Sequence, residues 1–175
     1  MTSTKLPQHK SGQMTLRISI VLAGLFAGFF YTYTISVTRG LAEVGDVTYV
    51  QTFQAINDTI RNGWFAIVFF GATPAAAIAL AANRNLPKNA KRLIGLGTIL
   101  LTGTVIITFA GNVVLNNSLG QVDGALPDVA ATARAKFEHS WNQLNAIRTL
   151  LSTGGFVALV SAGTLPISRK ATPAS

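Results

Sequence analysis

The chain has 175 residues, of which 49% are hydrophobic and only 11% charged. Its mean hydropathy is +0.43, whereas soluble domains carry about 25% charged residues, so an ordinary soluble domain is excluded and a membrane protein is expected. The net charge of +8 does not point to nucleic acid, because the basic residues stand at the ends of apolar runs, where topology and anionic headgroups explain them.

Without cysteine the chain has no disulfide, thiolate nucleophile or thiolate metal site. Residues 1–15, with Lys5, Pro7 and Lys10, read as a disordered basic tail. Residues 16–168 read as one membrane domain, and 169–175 as a second tail. No charge falls between Ile18 and Thr38, a run matching the roughly 20 residues that a bilayer core requires. A signal peptide is the competing reading. The run is long for one, and it ends in Tyr-Thr-Ile-Ser-Val-Thr-Arg without a small-residue cleavage site, so a retained transmembrane helix is favoured. Ala23, Gly24, Ala27 and Gly28 form a small-residue face suited to close helix contact, including homo- or hetero-oligomerisation. Tyr31, Thr34 and Thr38 share a face near the far end of the run.

Gly40 and Gly45 mark a loop, and Asp46 can cap a second helix from about Val47. That helix carries Gln54, Asn57, Arg61 and Trp64 on one face and then enters the uncharged run from Asn62 to Asn83. Pro74 is tolerated inside a transmembrane helix. A basic loop follows, with Arg84, Lys88, Lys91 and Arg92. The third span is expected from Leu93 to about Val113. Thr104, Thr108, Asn112 and Asn116 step by four along it, the threonines being able to bond back to their own helix. A fourth helix starts near Pro127, a favoured first-turn residue, and runs to about Pro166. At 1.5 Å per residue it measures roughly 55–60 Å, more than a bilayer. The fold class is therefore all-α: a four-helix transmembrane bundle with helices two and four extended beyond the membrane on the outer side.

Orientation follows from charge. Lys5, Lys10, Arg17, Arg84, Lys88, Lys91, Arg92, Arg169 and Lys170 fall on one side with no acid, while all 6 acids lie on the other. The positive-inside rule makes both termini cytoplasmic, and the plasma membrane is the expected location.

In the fourth helix Arg134, Glu138, Trp141, Asn145, Arg148 and Ser152 recur at steps of three and four and so share one face. Polar groups that continue into an apolar helix need partners, since each bare one costs several kcal/mol. Tyr31 and Thr34, Asn57, Arg61 and Asn62, Asn112 and Asn116, and Glu138, His139, Trp141, Asn145 and Arg148 are expected to converge at the outer end of the bundle. Ionisable groups near membrane depth are functional candidates; the structural alternative is an ion pair, such as Arg148 with Glu138, plus asparagines that fix helix packing. Arg148, Asn145, Asn116 and His139 are the candidate catalytic residues. Asn57, Asn62, Asn112, Trp141, Tyr31 and Glu138 are the candidate substrate-binding residues. A pocket with aromatic walls, amides and an arginine at one end suits a flat lipophilic molecule carrying an oxygen, whose anion the polar end would stabilise. His139 or Glu138 would have to supply the base. His9 and His139 fall on opposite sides of the membrane and cannot ligate haem together. A metal site usually needs three or four ligands, and the spacing offers no recognisable set; no cofactor is evident.

Three motifs carry a resemblance. Gln-Ala-Ile-Asn at 54–57, with Ile60, Asn62 and Phe65 after it, resembles a Gln-Ala-x-Asn…Ile-x-Asn-x-x-Phe segment. Residues 112–119, Asn-Val-Val-Leu-Asn-Asn-Ser-Leu, are similar to Asn-Val-Pro-Leu-Asn, with Val114 at the usual proline. Phe137, Glu138, Trp141, Asn145 and Arg148 match Phe-Glu-x-x-Trp-x-x-x-Asn-x-x-Arg. Together, over about residues 18–165, these resemble the anthrone oxygenase-related family of small four-span membrane proteins. The resemblance implies oxidation of an anthrone carbon to a quinone with molecular oxygen as co-substrate, and it assigns no role to His139. A lipophilic anthrone, phenol or quinol is the expected small-molecule partner and the lipid bilayer the expected surroundings. A non-enzymatic accessory or ligand-binding protein of a larger complex is the alternative, and a transporter is third.

Overall fold

The computed structural model describes residues 8–165. All of its regular structure is helical, as the sequence leads one to expect. Helix α1 runs as an α-helix over Gln8–Thr32, a π-helical turn over Tyr33–Val37 and a last turn over Thr38–Ala42. Helices α2 and α3 span Asp46–Thr59 and Gly63–Ala82. Helix α4 comprises Lys88–Ile107, a second π-helical turn Thr108–Asn112, and Val113–Gly120. Helix α5 spans Pro127–Thr164. Among the described residues, four stretches are long and apolar enough to cross a membrane: Ser11–Ala42, Gly63–Ala82, Lys88–Gly120 and Pro127–Thr164. The chain is an integral membrane protein.

Two expectations change. The tail expected to be disordered over 1–15 is helical from Gln8; its residues 1–7 and the second tail, 169–175, lie outside the described residues. The reason is tertiary: Asn83 Nδ2 donates to Gly12 O at 2.8 Å, and the two helices approach so closely there that a Cβ on Gly12 would stand 2.6 Å from Asn83 Oδ1. The expected continuous second helix is two helices. Asn62 is extended (φ −120°, ψ 166°); its Oδ1 accepts from Phe65 N at 3.0 Å and its Nδ2 donates to Thr59 O at 2.9 Å. It thus caps α3 and closes the end of α2, satisfying groups that helix ends leave free.

The interior has two apolar layers. The membrane layer packs Phe26, Phe30, Phe69, Ile94, Leu101 and Leu159 with the small residues Ala23, Ala72, Ala76 and Ala79. Small residues let helix backbones approach where lipid supplies no hydrophobic drive. At the α4–α5 crossing, a Cβ on Gly97 would lie 2.9 Å from Leu159 Cγ, and one on Gly155 3.1 Å from Leu101 Cγ. Gly24 faces Phe156 of the same chain, its Cβ position 3.1 Å from that ring, whereas Gly28 has open space. Part of the small-residue face is therefore occupied inside the bundle.

The second layer joins Tyr33, Tyr49, Val50, Phe53, Leu119, Phe137 and Trp141. Arg134 locks its rim. It pairs with Asp46 at 3.1 Å and Glu138 at 2.7 Å, donates to Val44 O and Ala42 O, and covers the Tyr49 ring at 4.5 Å. Burial, reinforced by nearby Glu138, pushes the Tyr49 hydroxyl far above its ordinary pKa, so it stays neutral. Gln54 Nε2 ties α2 to the end of α4 by donating to Leu119 O at 2.8 Å and Val122 O at 3.0 Å.

Candidate functional site

Between the two apolar layers lies a polar belt. Thr34 sits in the π-helical turn of α1, Thr108 in that of α4, and Asn145, Arg148, Thr149 and Ser152 on the inward face of α5. Both π-helical turns thus occur at one level, and such turns are frequent at functional sites. Asn145 Nδ2 donates to Thr34 Oγ1 at 2.9 Å and to Phe30 O at 3.3 Å, and the Thr34 and Thr149 hydroxyls are 2.9 Å apart. Ser152 bonds back to Arg148 O. Thr104 and Thr108 likewise bond back to the carbonyls of Leu100 and Thr104, as threonines in apolar helices commonly do.

Arg148 occupies the centre and is only 5% exposed. Its Nη2 donates to Asn145 Oδ1 at 3.0 Å, and its Nη1 reaches Thr108 Oγ1 at 3.5 Å. Its Cζ lies 4.5 Å from the Phe30 ring centroid and 5.2 Å from that of Trp141. Nε has no acceptor. Both of its hydrogen-bonding partners are neutral. The acid paired with it in the structural alternative, Glu138, is bonded to Arg134 instead.

The guanidinium borders a cavity of about 560 Å³, within the range of small-molecule sites. Phe29, Phe30, Tyr33, Phe65 and Phe69 form much of its wall, and Asn57, Arg61, Asn62, Asn116 and Asn117 line its polar parts. Trp141 joins the two, since its ring lines the cavity while its Nε1 donates to Asn116 Oδ1 at 2.8 Å. Asn57 Nδ2 is buried without a partner. Asn112 is fully buried; it donates to Trp141 O at 3.3 Å, and its Oδ1 is unpartnered.

Of the residues expected to converge, Asn57, Arg61, Asn62, Asn116, Trp141 and Arg148 line this cavity. Asn145 and Thr34 support it through the bonds just described, and Asn112 sits behind Trp141. Three do not converge. Tyr31 is 52% exposed and points away, whereas Tyr33, two residues on, lines the cavity. Glu138 and His139 line a shallow outer groove with Arg134 and Asn142, more than two helical turns before Arg148 along α5. Aromatic walls are expected from the sequence, but Phe29, Phe30, Tyr33, Phe65 and Phe69, which form them, are not singled out there as wall residues; Phe26, Phe30 and Tyr33 recur at helical spacing, which puts them on one face without saying that the face is inward. Among the described residues, no group of three or more histidine, aspartate and glutamate side chains is gathered to hold a metal.

A family model described as anthrone oxygenase matches residues 60–158. No curated protein and no solved structure matches the chain. The matched stretch includes Asn62, Asn112, Asn116, Trp141, Asn145 and Arg148; Tyr33 and Asn57 precede it.

Proposed function

The chain belongs to the anthrone oxygenase family, and on that footing we propose that it is a membrane oxygenase-like protein that takes a lipophilic anthrone, phenol or quinol into the Arg148 cavity. One observation carries this reading: a buried guanidinium with only neutral hydrogen-bond partners and a free Nε. A buried charge without a counter-ion is costly, and the contacts with Phe30 and Trp141 offset that only in part, by about 2 kcal/mol for a desolvated cation. A ligand oxyanion would supply what is missing. For an anthrone, loss of a proton from the ring CH2 gives an enolate whose oxygen takes the charge beside Arg148. Molecular oxygen, the co-substrate, adds at that carbon. After protonation the hydroperoxide loses water, leaving the quinone carbonyl.

Among the described residues lining the cavity there is no carboxylate or histidine. The chain's contribution is therefore to acidify the ligand by stabilising its anion, with the proton leaving past the asparagines. The same absence favours a second reading, a non-enzymatic protein that binds the anion without turnover. Purified protein mixed with anthrone in oxygenated buffer should produce quinone absorbance, and Arg148→Met should abolish it. A rate indifferent to that substitution would remove Arg148 from the reaction. Binding without turnover would appear as an aromatic acid that co-purifies, identified by mass spectrometry, and is lost in Arg148→Met. The one-sided charge distribution supports a plasma-membrane orientation with both termini cytoplasmic and the asparagine-lined end outside.

A further inference from the structure

The cavity does not close on its lipid side. Phe70 on α3 and Phe109 in the π-helical turn of α4 both line it, yet they are 61% and 49% exposed. Both lie within stretches able to cross a membrane, so the medium they meet is lipid. Helix α3 leans chiefly on α1, and α4 chiefly on α5; α3 also packs directly on the Lys88–Ile107 part of α4, but the Thr108–Asn112 turn packs on α5 and has little or no backbone contact with α3. What spans the gap is side chain. Phe109 stands 5.8 Å from Phe69 and 6.4 Å from Phe70, centroid to centroid. At the level of this turn the seam is bridged by rings, which can part by rotamer changes, a fast motion, while the helices stay packed below it.

We propose that the cavity is loaded sideways from the bilayer through a portal between α3 and α4 curtained by Phe70 and Phe109, and that its ligand is an acidic aromatic ring bearing a long apolar tail that stays in this portal. The proposal rests on the reading that the ring's anion is held by Arg148. A tail lying between the two rings keeps apolar contact with lipid throughout, so binding desolvates only the headgroup. A tail also orients the ring, since the oxygen must lead into the cavity toward Arg148 and the asparagines. A bare ring lacks that constraint.

The test uses the full chain in nanodiscs and a ligand pair, 1-naphthol and 4-decyl-1-naphthol. The absence of native cysteine makes Phe109→Cys a unique thiol, to be labelled by a membrane-dissolved pyrene maleimide. Phe70→Cys provides an independent second site. Ile99→Cys, 69% exposed and outside the cavity lining, is the control. In a Trp64→Phe background, Trp141 emission reports occupancy of the cavity. At about ten times its Kd, the tailed naphthol should slow labelling of the Phe109 and Phe70 variants roughly tenfold, because only the unliganded fraction reacts. It should leave the Ile99 variant unaffected, and 1-naphthol should protect neither portal position. Quenching of Trp141 by both naphthols with no protection at either portal position would overturn the portal while leaving the Arg148 site standing. No quenching by either ligand, or quenching unchanged in Arg148→Ala, would remove the site and the portal together.

Discussion

Arg148 is held by two ring faces, a hydroxyl and an amide oxygen, a set that positions a cation without neutralising it. Stability and function should therefore separate at this residue. Replacing a buried charge by an apolar side chain of similar length is often neutral or stabilising. Arg148→Met should leave the melting temperature in detergent unchanged or higher while abolishing binding of an acidic aromatic ligand. Loss of the fold in that variant would make Arg148 a structural residue. Trp141 behaves differently. Its indole N–H bonds Asn116 at 2.8 Å and its ring packs on Phe53 at 4.9 Å. Trp141→Phe keeps most of the packing but leaves Asn116 Oδ1 without its donor. It should lower stability by about 1–2 kcal/mol, read as a lower thermal midpoint.

At the scale of the element, the break between α2 and α3 matters most. Had the chain stayed helical through Asn62, residues 57–62 would have continued along one rod instead of turning over the cavity. Asn62 makes the turn with both ends of its amide. Asn62→Ala should cost about 1 kcal/mol, as lost N-caps do, and should speed hydrogen exchange at the Phe65 amide ahead of the rest of α3. Equal protection at Phe65 in the variant would show that the cap is dispensable. The glycines divide in the same concrete way. A Cβ on Gly97 meets Leu159 at 2.9 Å and the Gly155 carbonyl at 3.0 Å, whereas one on Gly28 meets nothing within 4 Å. Gly97→Ala should destabilise by about 1–3 kcal/mol, the usual range for overpacking, while Gly28→Ala leaves the thermal midpoint in place. A midpoint unchanged by Gly97→Ala would mean that the α4–α5 crossing relaxes freely.

The whole molecule is layered: an apolar membrane core, a polar belt with Arg148 at its centre, and an aromatic layer rimmed by Arg134, Asp46 and Glu138. The cavity lies where the layers meet, because the helices must pack there around side chains that are neither fully apolar nor solvated. Orientation is a property of the same scale. In intact cells, the proposed orientation, with the basic loop of Arg84, Lys88, Lys91 and Arg92 on the cytoplasmic side, predicts that Asp123→Cys reacts with an impermeant maleimide and Lys88→Cys does not. The opposite pattern would reverse the topology and turn the polar end of the cavity to the cytoplasm.

Composition and period alone determined that this is an all-helical membrane protein with four spans, and that Trp141, Asn145, Arg148 and Ser152 share one face; that this face is buried was decided by the bundle. Uncharged runs and 3.6-residue spacing are local properties, and bilayer thickness turns them directly into spans. The helix break at Asn62 was also locally marked, by an asparagine before a glycine, but the uncharged run after it read as a continuation of the same rod. Only the tertiary structure decided that Tyr33 and not Tyr31 faces inward, that Glu138 belongs to Arg134, and that His139 stands outside the cavity. Each of these depends on which neighbour reaches the side chain first across the bundle, and helical period records only the angle at which it leaves its own helix.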